Sequence, residues 1–251
     1  MLTQNLDDIL KERKNEFHKN NPFPHIIIDN LFDDDILRSA TKSAQSNVGE
    51  VRVYGDKDQM NKRTMEGKYL LKGGGQNLTS IENNKIVFNK TRSTALGQVF
   101  NFLNGKEFVN FIGNLTDIDG LFSDDTFRGG GIHKTDAGGF LKIHIDFSRP
   151  KWDKKVFRRA NVLLYLNEGW KEEWGGDLEL WDNPVKKNGK CIKKVEPVFN
   201  RLVIFGTRKN SWHGHPHPLN TPSNISRWSF ATYYYSKNQG DDSEDHNTLF
   251  H

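Results

Sequence analysis

Five short segments rich in β-forming residues follow one another after residue 119, and no amphipathic helix of useful length separates them. Gly, Pro, Asn and charged turns divide these segments. Strands without crossover helices between them must pair antiparallel. This half of the chain therefore predicts a sandwich, a barrel or a jelly roll. The segments are, in order, GGFLKIHIDF, RRANVLLYLN, GGDLELWD, NRLVIFGT and RWSFATYYYS.

The preceding residues predict helices and one strand that support the β-rich half. Apolar positions recur at helical spacing over residues 2–20 and again over 93–118. Prolines end the first helix, and Ile26 to Ile28 are typical of a strand. The segment DDDILRSATKSA opens with acids, which suit the N-terminus of a second helix.

Residues 46–92 are polar, carry glycines and show weak periodicity, which predicts a flexible loop or flap. No repeat divides the chain, so we expect a single domain over residues 1–251. We divide it into N-terminal support at 1–118, a β core at 119–236 and a frayed acidic tail at 237–251.

Composition excludes several classes of protein. The 17 Phe, 6 Trp and 6 Tyr provide ample surface to bury, so most of the chain is expected to fold. The formal net charge of +4 comes from scattered lysines, which indicates solvated faces rather than nucleic-acid binding. No apolar run approaches the roughly 18 residues of a bilayer span, the first residues lack a secretory apolar core, and Cys191 has no partner for an intramolecular disulfide. We expect a cytoplasmic protein with no nucleic-acid or membrane partner, and its oligomeric state stays open.

His144 and Asp146 stand two apart in the first β-rich segment. Alternation along a strand points both side chains to one face. An imidazole beside a carboxylate suits a divalent metal of borderline softness. By itself this pair also fits two hydrogen-bonded surface residues.

Three histidines, at positions 213, 215 and 217, follow the apolar strand LVIFGT. Two His and one carboxylate can occupy one face of an octahedron and leave the other positions open, the arrangement of non-haem Fe(II) oxygenases. We expect His213 to be the ligand because it lies closest to the strand end, with Trp212 packed against the metal shell. His215 and His217, each next to a proline, are expected to face solvent.

Arg227 and Ser229 are again two apart on a predicted strand. A guanidinium binds a carboxylate with two parallel hydrogen bonds, and a hydroxyl adds a third. Alone, Arg227 would fit a structural salt bridge at a sheet edge. Its position after the HxD pair and the downstream His favours a carboxylate-binding pair.

The order HxD, distal His and R-x-S resembles the 2-oxoglutarate/Fe(II) dioxygenases, specifically the prolyl-4-hydroxylase-like branch. NPFPHIIIDNLFDDDIL is similar to that branch's first strand and helix, and FRRANVLLYLNEGWKEEWGGDLELWD to its second core strand, Gly-Gly turn and next strand. VEPVFNRLVIF is similar to the strand that leads to the distal histidine. The resemblance covers roughly residues 20–40 and 125–236.

The resemblance implies a mainly β fold with N-terminal helices (α+β): a double-stranded β-helix, or distorted jelly roll of the cupin type, with the helices covering one sheet. It makes a histidine-carboxylate-histidine set the iron ligands, and an Arg-Ser pair the partner of the distal 2-oxoglutarate carboxylate. Lys142 stands where such enzymes often have a Tyr, so two residues of the neighbouring strand are expected to contact the cosubstrate instead. The resulting assignment is His144, Asp146 and His213 for the metal, with Arg227, Ser229, Asn161 and Tyr165 for the cosubstrate.

The implied activity is hydroxylation of an unactivated C–H bond with Fe(II), 2-oxoglutarate and O2, releasing succinate and CO2, with ascorbate as a reductant. The expected substrate is a prolyl residue in a peptide or protein; a free amino acid or other small metabolite is the alternative. The 46–92 region and the 128–139 loop are expected to gate it. Two further readings stay open: a cupin-like metal enzyme that does not use 2-oxoglutarate, and a non-catalytic jelly-roll binding module.

Five side chains flank the predicted HxD strand: Arg128, His133, Trp152, Arg158 and Arg159. They fit a substrate-contacting rim. They fit equally well ordinary surface side chains that extend their charged heads into water beside glycine-permitted turns.

Overall fold

The computed structural model describes residues 1–46, 95–124, 130–238 and 245–251 in full, and the backbone of four short strands between residues 52 and 88. All three predicted helical stretches of the N-terminal half are helical, and the stretch over 93–118 divides into two helices. The helices are α1 Leu6–Lys19, α2 Asp34–Ser46, α3 Ala95–Leu103 and α4 Lys106–Thr116.

Fifteen strands are present in the described part of the chain. The first seven are β1 His25–Asp29, β2 Arg52–Tyr54, β3 Lys62–Met65, β4 Thr79–Glu82, β5 Lys85–Phe88, β6 Phe122–Ser123 and β7 Gly131–Thr135. The next four are β8 Leu141–Ile145, β9 Phe157–Tyr165, β10 Leu178–Trp181 and β11 Cys191–Val195. The last four are β12 Arg201–Gly206, β13 Trp212–His215, β14 Arg227–Ser236 and β15 Leu249–Phe250.

The strands form two main antiparallel sheets. The larger has the order β1-β12-β9-β14-β7-β3-β2, with β6 paired to β14; the smaller has the order β11-β10-β13-β8-β15. Residues of both sheets line one cavity, which confirms the predicted distorted jelly roll. The sequence predicted no regular structure over 46–92, but its backbone forms β2 and β3, which extend the larger sheet, and the β4–β5 hairpin. The predicted flexibility of that region falls on residues outside those described.

Alternation along the central strands separates the helix side of the larger sheet from its cavity side. On β9, Ala160, Val162 and Leu164 pack in the main hydrophobic core with residues of all four helices. Asn161 and Leu163, which alternate with them, line the cavity. Helices therefore cover one face of this sheet, as predicted, and leave the other face to the site.

Edge-to-face packing holds the helical layer on the sheet. The rings of Phe100 on α3 and Phe230 on β14 lie 4.6 Å apart at an interplanar angle of 87°, a geometry that adds about 0.5–1.5 kcal/mol beyond the buried area. Among the described residues, no helix has both the length and the apolarity that a membrane crossing needs.

Candidate metal centre

His144, Asp146 and His213 converge on one point of the cavity. His144 lies on β8 directly opposite His213 on the neighbouring strand β13, and Asp146 follows one residue after β8 ends. One potential ligand atom from each residue lies within 4.8 Å of the other two. Nε2 of His144 is 3.6 Å from Oδ1 of Asp146, and Nε2 of His213 is 3.4 Å from Oδ2. The two nitrogens and the carboxylate therefore face each other.

Backbone carbonyls orient both imidazoles. Nδ1 of His144 is 2.9 Å from the carbonyl oxygen of Lys142, and Nδ1 of His213 is 2.8 Å from that of Ser211. A carbonyl only accepts, so Nδ1 is the protonated nitrogen in each ring and Nε2 carries the lone pair. Ligating histidines in metalloproteins commonly have an outer partner of this kind. Two Nε2 lone pairs beside a carboxylate fit a divalent metal such as Fe(II).

Burial and neighbouring charges favour the metal-binding protonation states of His144 and Asp146. Burial, followed by the proximity of His213, lowers the pKa of His144, so its ring stays neutral to lower pH than an ordinary histidine. Burial alone would raise the pKa of Asp146. The guanidinium of Arg158, followed by the adjacent rings of His144 and His213, outweighs burial and holds that pKa well below its usual range.

The lowered pKa of His144 predicts that acid destabilises the metal-free protein through this residue. Below the ordinary histidine pKa of about 6.5, the unfolded chain binds a proton at His144 that the folded protein does not bind, so the free energy of unfolding falls as the pH falls. Urea denaturation of the metal-free wild type and of His144→Gln, at a series of pH values, measures the effect. The fall should be smaller in the variant, and parallel curves would contradict the prediction.

Arg158 is the largest departure from expectation at this site. The sequence suggested a rim or surface position, but the residue is only 4% exposed. Its Nη2 lies 2.9 Å from Oδ2 of Asp146, and its Nε donates to Oδ1 of Asn161 at 2.8 Å. Asn161 Nδ2 in turn donates to Oδ2 of Asp146 at 2.7 Å. Arg158 and Asn161 thus hold Oδ2 together, and Oδ1 is left to a metal.

Aromatic rings enclose the Arg158 guanidinium. Its Cζ lies 3.5 Å from the ring centroid of Tyr233 and 4.9 Å from that of Phe147. Cation–π contacts in a desolvated setting are worth about 2 kcal/mol. Together with the ion pair, they keep a full positive charge buried beside the carboxylate. Asn161, expected at the cosubstrate, uses both ends of its amide on Arg158 and Asp146.

Arg227 lines the same cavity and is 5% exposed. Its Nε donates to the carbonyl oxygen of Gly176 at 2.8 Å, and its Nη2 donates to the hydroxyl of Tyr165 at 3.2 Å. Gly176 has a φ of +79°, and a Cβ there would lie 2.6 Å from Leu219 and 3.1 Å from Arg227, so only glycine fits. Among the described residues no carboxylate lies within ion-pair distance of Arg227, although the guanidinium charge opposes the rise that burial causes in the pKa of the half-buried Asp177.

The remaining candidate residues divide between the cavity and the surface. Ser229 is 2% exposed and lines the cavity, as do His133 and His215. The prediction that His215 faces solvent is therefore wrong, whereas the His217 side chain is 77% exposed, as predicted. Trp212 does not pack on the metal shell, because it precedes His213 on the strand and so faces the opposite side of the sheet.

The tyrosines of β14 are buried, whereas the side chains predicted to form a rim differ in their exposure. Tyr233 and Tyr235 pack in one hydrophobic cluster, as their shared strand face predicted. Trp152 is 39% exposed, and its ring lies 5.7 Å from that of the fully buried Tyr235. Arg159 is half-buried. Arg128 lies outside the described residues.

Sequence comparison matches residues 130–235 to the model of the 2OG-Fe(II) oxygenase superfamily. The matched segment contains every residue of the candidate centre. The prolyl 3-hydroxylase OGFOD1 of Mus musculus is 29% identical over 110 residues. That alignment covers 39% of this chain and only 20% of the mouse protein.

Solved structures share the fold over nearly the whole chain. A Trichoplax adhaerens prolyl hydroxylase, solved with a peptide fragment of the hypoxia inducible factor oxygen degradation domain, superimposes with a TM-score of 0.58 at 14% identity, covering 92% of this chain and 91% of that one. A Pseudomonas putida prolyl-4-hydroxylase gives 0.55 at 15% identity, covering 92% and 99%. These similarities extend the shared fold beyond residues 130–235.

Proposed function

Residues 130–235 belong to the 2OG-Fe(II) oxygenase superfamily, and on that premise we propose that this protein hydroxylates a prolyl residue of a peptide or protein. Fe(II), 2-oxoglutarate and O2 are the cofactor and cosubstrates of the family. The mouse relative is named a prolyl 3-hydroxylase, and the Trichoplax enzyme was solved with a peptide fragment. Both support a prolyl residue in a peptide over a free metabolite.

One observation carries the proposal: a buried guanidinium that makes no ion pair within the described part of the chain shares a cavity with the His-Asp-His centre. A buried charge is costly unless it is paired. Asp146 already has Arg158 as its counter-ion. Arg227 instead donates its hydrogen bonds to neutral groups, and the half-buried Asp177 acts on it only from beyond ion-pair distance. An anionic cosubstrate that also reaches the metal would supply the missing negative charge, and 2-oxoglutarate has a carboxylate at each end.

Each side chain has a separate role in this mechanism. His144, Asp146 and His213 would hold Fe(II), which together with 2-oxoglutarate supplies the oxidising chemistry: the substrate C–H becomes C–OH, while 2-oxoglutarate and O2 yield succinate and CO2. Arg227 would bind the distal carboxylate, with Tyr165 and Gly176 fixing the guanidinium and Ser229 adding a hydroxyl.

The charges and the walls of the cavity are fixed before any ligand binds. Asn161 and Arg158 hold the Asp146 carboxylate in one orientation. Leu163, Leu178 and Phe205 give the cavity apolar walls, which exclude water from the reacting atoms. Such fixed charges in a dry site are the protein's main contribution when a cofactor supplies the reactivity.

Anaerobic titration of the Fe(II)-loaded protein with 2-oxoglutarate tests the proposal. We expect a visible metal-to-ligand charge-transfer band that saturates, followed on admission of air by one succinate per 2-oxoglutarate consumed. Iron binding without the band would instead favour a metal enzyme that does not use 2-oxoglutarate. Absence of iron binding by folded protein would favour a binding module.

Arg227→Met is expected to raise the 2-oxoglutarate concentration at half-saturation of that band. Hydrogen bonds to a charged group contribute about 1.5–3 kcal/mol, which corresponds to roughly a 10- to 100-fold change. Arg38→Met, at a half-exposed arginine on α2, is the matched control and should titrate like the wild type. Equal half-saturation in wild type and Arg227→Met would show that Arg227 is structural.

A further inference from the structure

Residues 245–251 lie antiparallel along the outer edge of β8, the strand that carries His144. A sheet edge presents unpaired backbone N–H and C=O groups that another strand can use. Regular pairing is confined to Leu249 and Phe250, which lie opposite Ile145 and His144. The backbone of the segment is also bonded to this edge at two further points: the N–H of His251 donates to Ile143, and the N–H of Ser148 donates to His246. The His246 bond is out of phase with the alternation at the other end, so the ladder is interrupted between them.

An acidic side chain anchors one end of this segment. The carboxylate of Asp245 lies 3.6 Å from Nζ of Lys154 and 4.0 Å from Nε of Arg149. Next to it, His246 and Ser148 exchange two hydrogen bonds, one from each backbone N–H. The docked segment therefore has an acidic residue at one end and, five residues after it, an aromatic ring in the two-residue strand β15.

That aromatic ring lies against the candidate metal centre. Phe250 stacks on His144 with ring centroids 5.4 Å apart and an interplanar angle of 30°. His213 flanks His144 from the other neighbouring strand, at 4.4 Å between centroids. Side chains of directly opposed residues share a face of the sheet. The side chain at position 250 is therefore on the cavity side of β8.

The position opposite His144 is compatible with proline. His251 donates its N–H to the carbonyl of Ile143 at 2.9 Å, and hydrogen-bonded pairs alternate with non-hydrogen-bonded pairs along an antiparallel ladder. Phe250 and His144 thus form a non-hydrogen-bonded pair. A prolyl residue at position 250 would lose no ladder bond, since its missing N–H is not used there.

We propose that the edge of β8 is the docking edge for the peptide substrate, which binds as an added antiparallel strand with its prolyl residue opposite His144. Residues 245–251 of the same chain occupy that edge and compete with the peptide for it. The inference rests on the proposed prolyl hydroxylation. β-Strand addition of this kind is a recurring mode of peptide recognition. The preferred peptide has an acidic residue five positions before the proline, where Lys154 and Arg149 meet Asp245.

The occupying segment is held weakly enough to be displaced. Its ladder with β8 contains only two residues, Leu249 and Phe250, and Leu249 is 45% exposed. Short pairings of this kind are marginal in water. A peptide whose residue opposite His144 packs better there than Phe250 can therefore compete with the segment.

Peptide binding to the 251-residue chain tests the docking edge without iron or 2-oxoglutarate. The probe is a fluorescent peptide with the sequence of residues 245–251, titrated into wild type, Phe250→Gly and Asn247→Gly. The exposed Asn247 serves as the matched control in the same segment. Because Phe250→Gly weakens the competing strand, we expect about tenfold tighter peptide binding than in the other two. The peptide should also slow hydrogen exchange of the β8 amides.

Equal peptide affinity for all three proteins, or unchanged hydrogen exchange of the β8 amides, would overturn the docking edge.

The same peptide with Phe250→Pro tests whether the docked peptide is a substrate, with iron, 2-oxoglutarate and air present. It should gain one oxygen atom by mass spectrometry, and a peptide that also carries Asp245→Lys should gain it more slowly. A peptide that binds at β8 yet gains no oxygen, in protein that forms the charge-transfer band, would overturn the assignment of this edge to substrate. Absence of the band would instead reject the proposed function. The peptide-binding result would still show whether β8 is a docking edge, because it needs neither iron nor 2-oxoglutarate.

Discussion

His213→Ala is expected to lose Fe(II) and, with it, measurable 2-oxoglutarate turnover. The variant removes one of the two imidazoles whose Nε2 atoms face Asp146 and leaves a two-donor site. Changes to the outer partners of metal ligands already cost roughly 10- to 100-fold in affinity, so loss of a ligand itself should exceed about 100-fold. Iron retained after anaerobic dialysis, and succinate formed per unit time, measure the two effects.

His217→Ala is the matched control for this experiment. It removes a histidine from the same segment, but one whose side chain is 77% exposed and points toward Glu179 rather than the cavity. Iron content and turnover should match those of the wild type. Circular dichroism of both variants checks that the fold is kept. Full iron retention by a folded His213→Ala would remove His213 from the ligand set.

Sequence reasoning located the centre because its residues stand on regular strands. His144, Arg227 and Ser229 were placed on their cavity faces by period-two alternation alone, and each lines the cavity. The same rule would have corrected one expectation. Trp212 adjoins His213 on β13, so it had to face outward, where it packs with Ile143 and other residues on the outer face.

Arg158 could not be placed by that rule. Counting from Tyr165, alternation puts position 158 on the helix side of β9. The pairing with β14 shifts register near this end, so that Arg158, and not Arg159, faces Tyr235. Such irregularities turn a side chain to the other face, and they depend on the partner strand rather than on local sequence. The same dependence on distant partners explains why the pairing of β15 with β8 was not predicted.

Arg158→Met is expected to destabilise the metal-free protein by about 3–5 kcal/mol, because it leaves the Asp146 carboxylate without its buried counter-ion. The Arg158 side chain is 2% exposed and that of Asp146 is 14% exposed, so little water can replace the guanidinium. Fe(II) affinity should also fall roughly 10- to 100-fold, since the orientation of Asp146 is lost. Urea denaturation and metal titration measure the two losses separately.

A second substitution distinguishes the charge of Arg158 from its packing. In the Asp146→Asn background no carboxylate remains to be neutralised, so Arg158→Met should cost much less stability there than in the wild type. The difference between the two costs is the coupling energy of the pair. Arg159→Met, at the adjacent half-buried arginine, controls for losing a charge at this end of β9. If Arg158→Met lowers the free energy of unfolding equally with and without the Asp146 carboxylate, Arg158 acts by filling space between Phe147 and Tyr233. The counter-ion role would then be wrong.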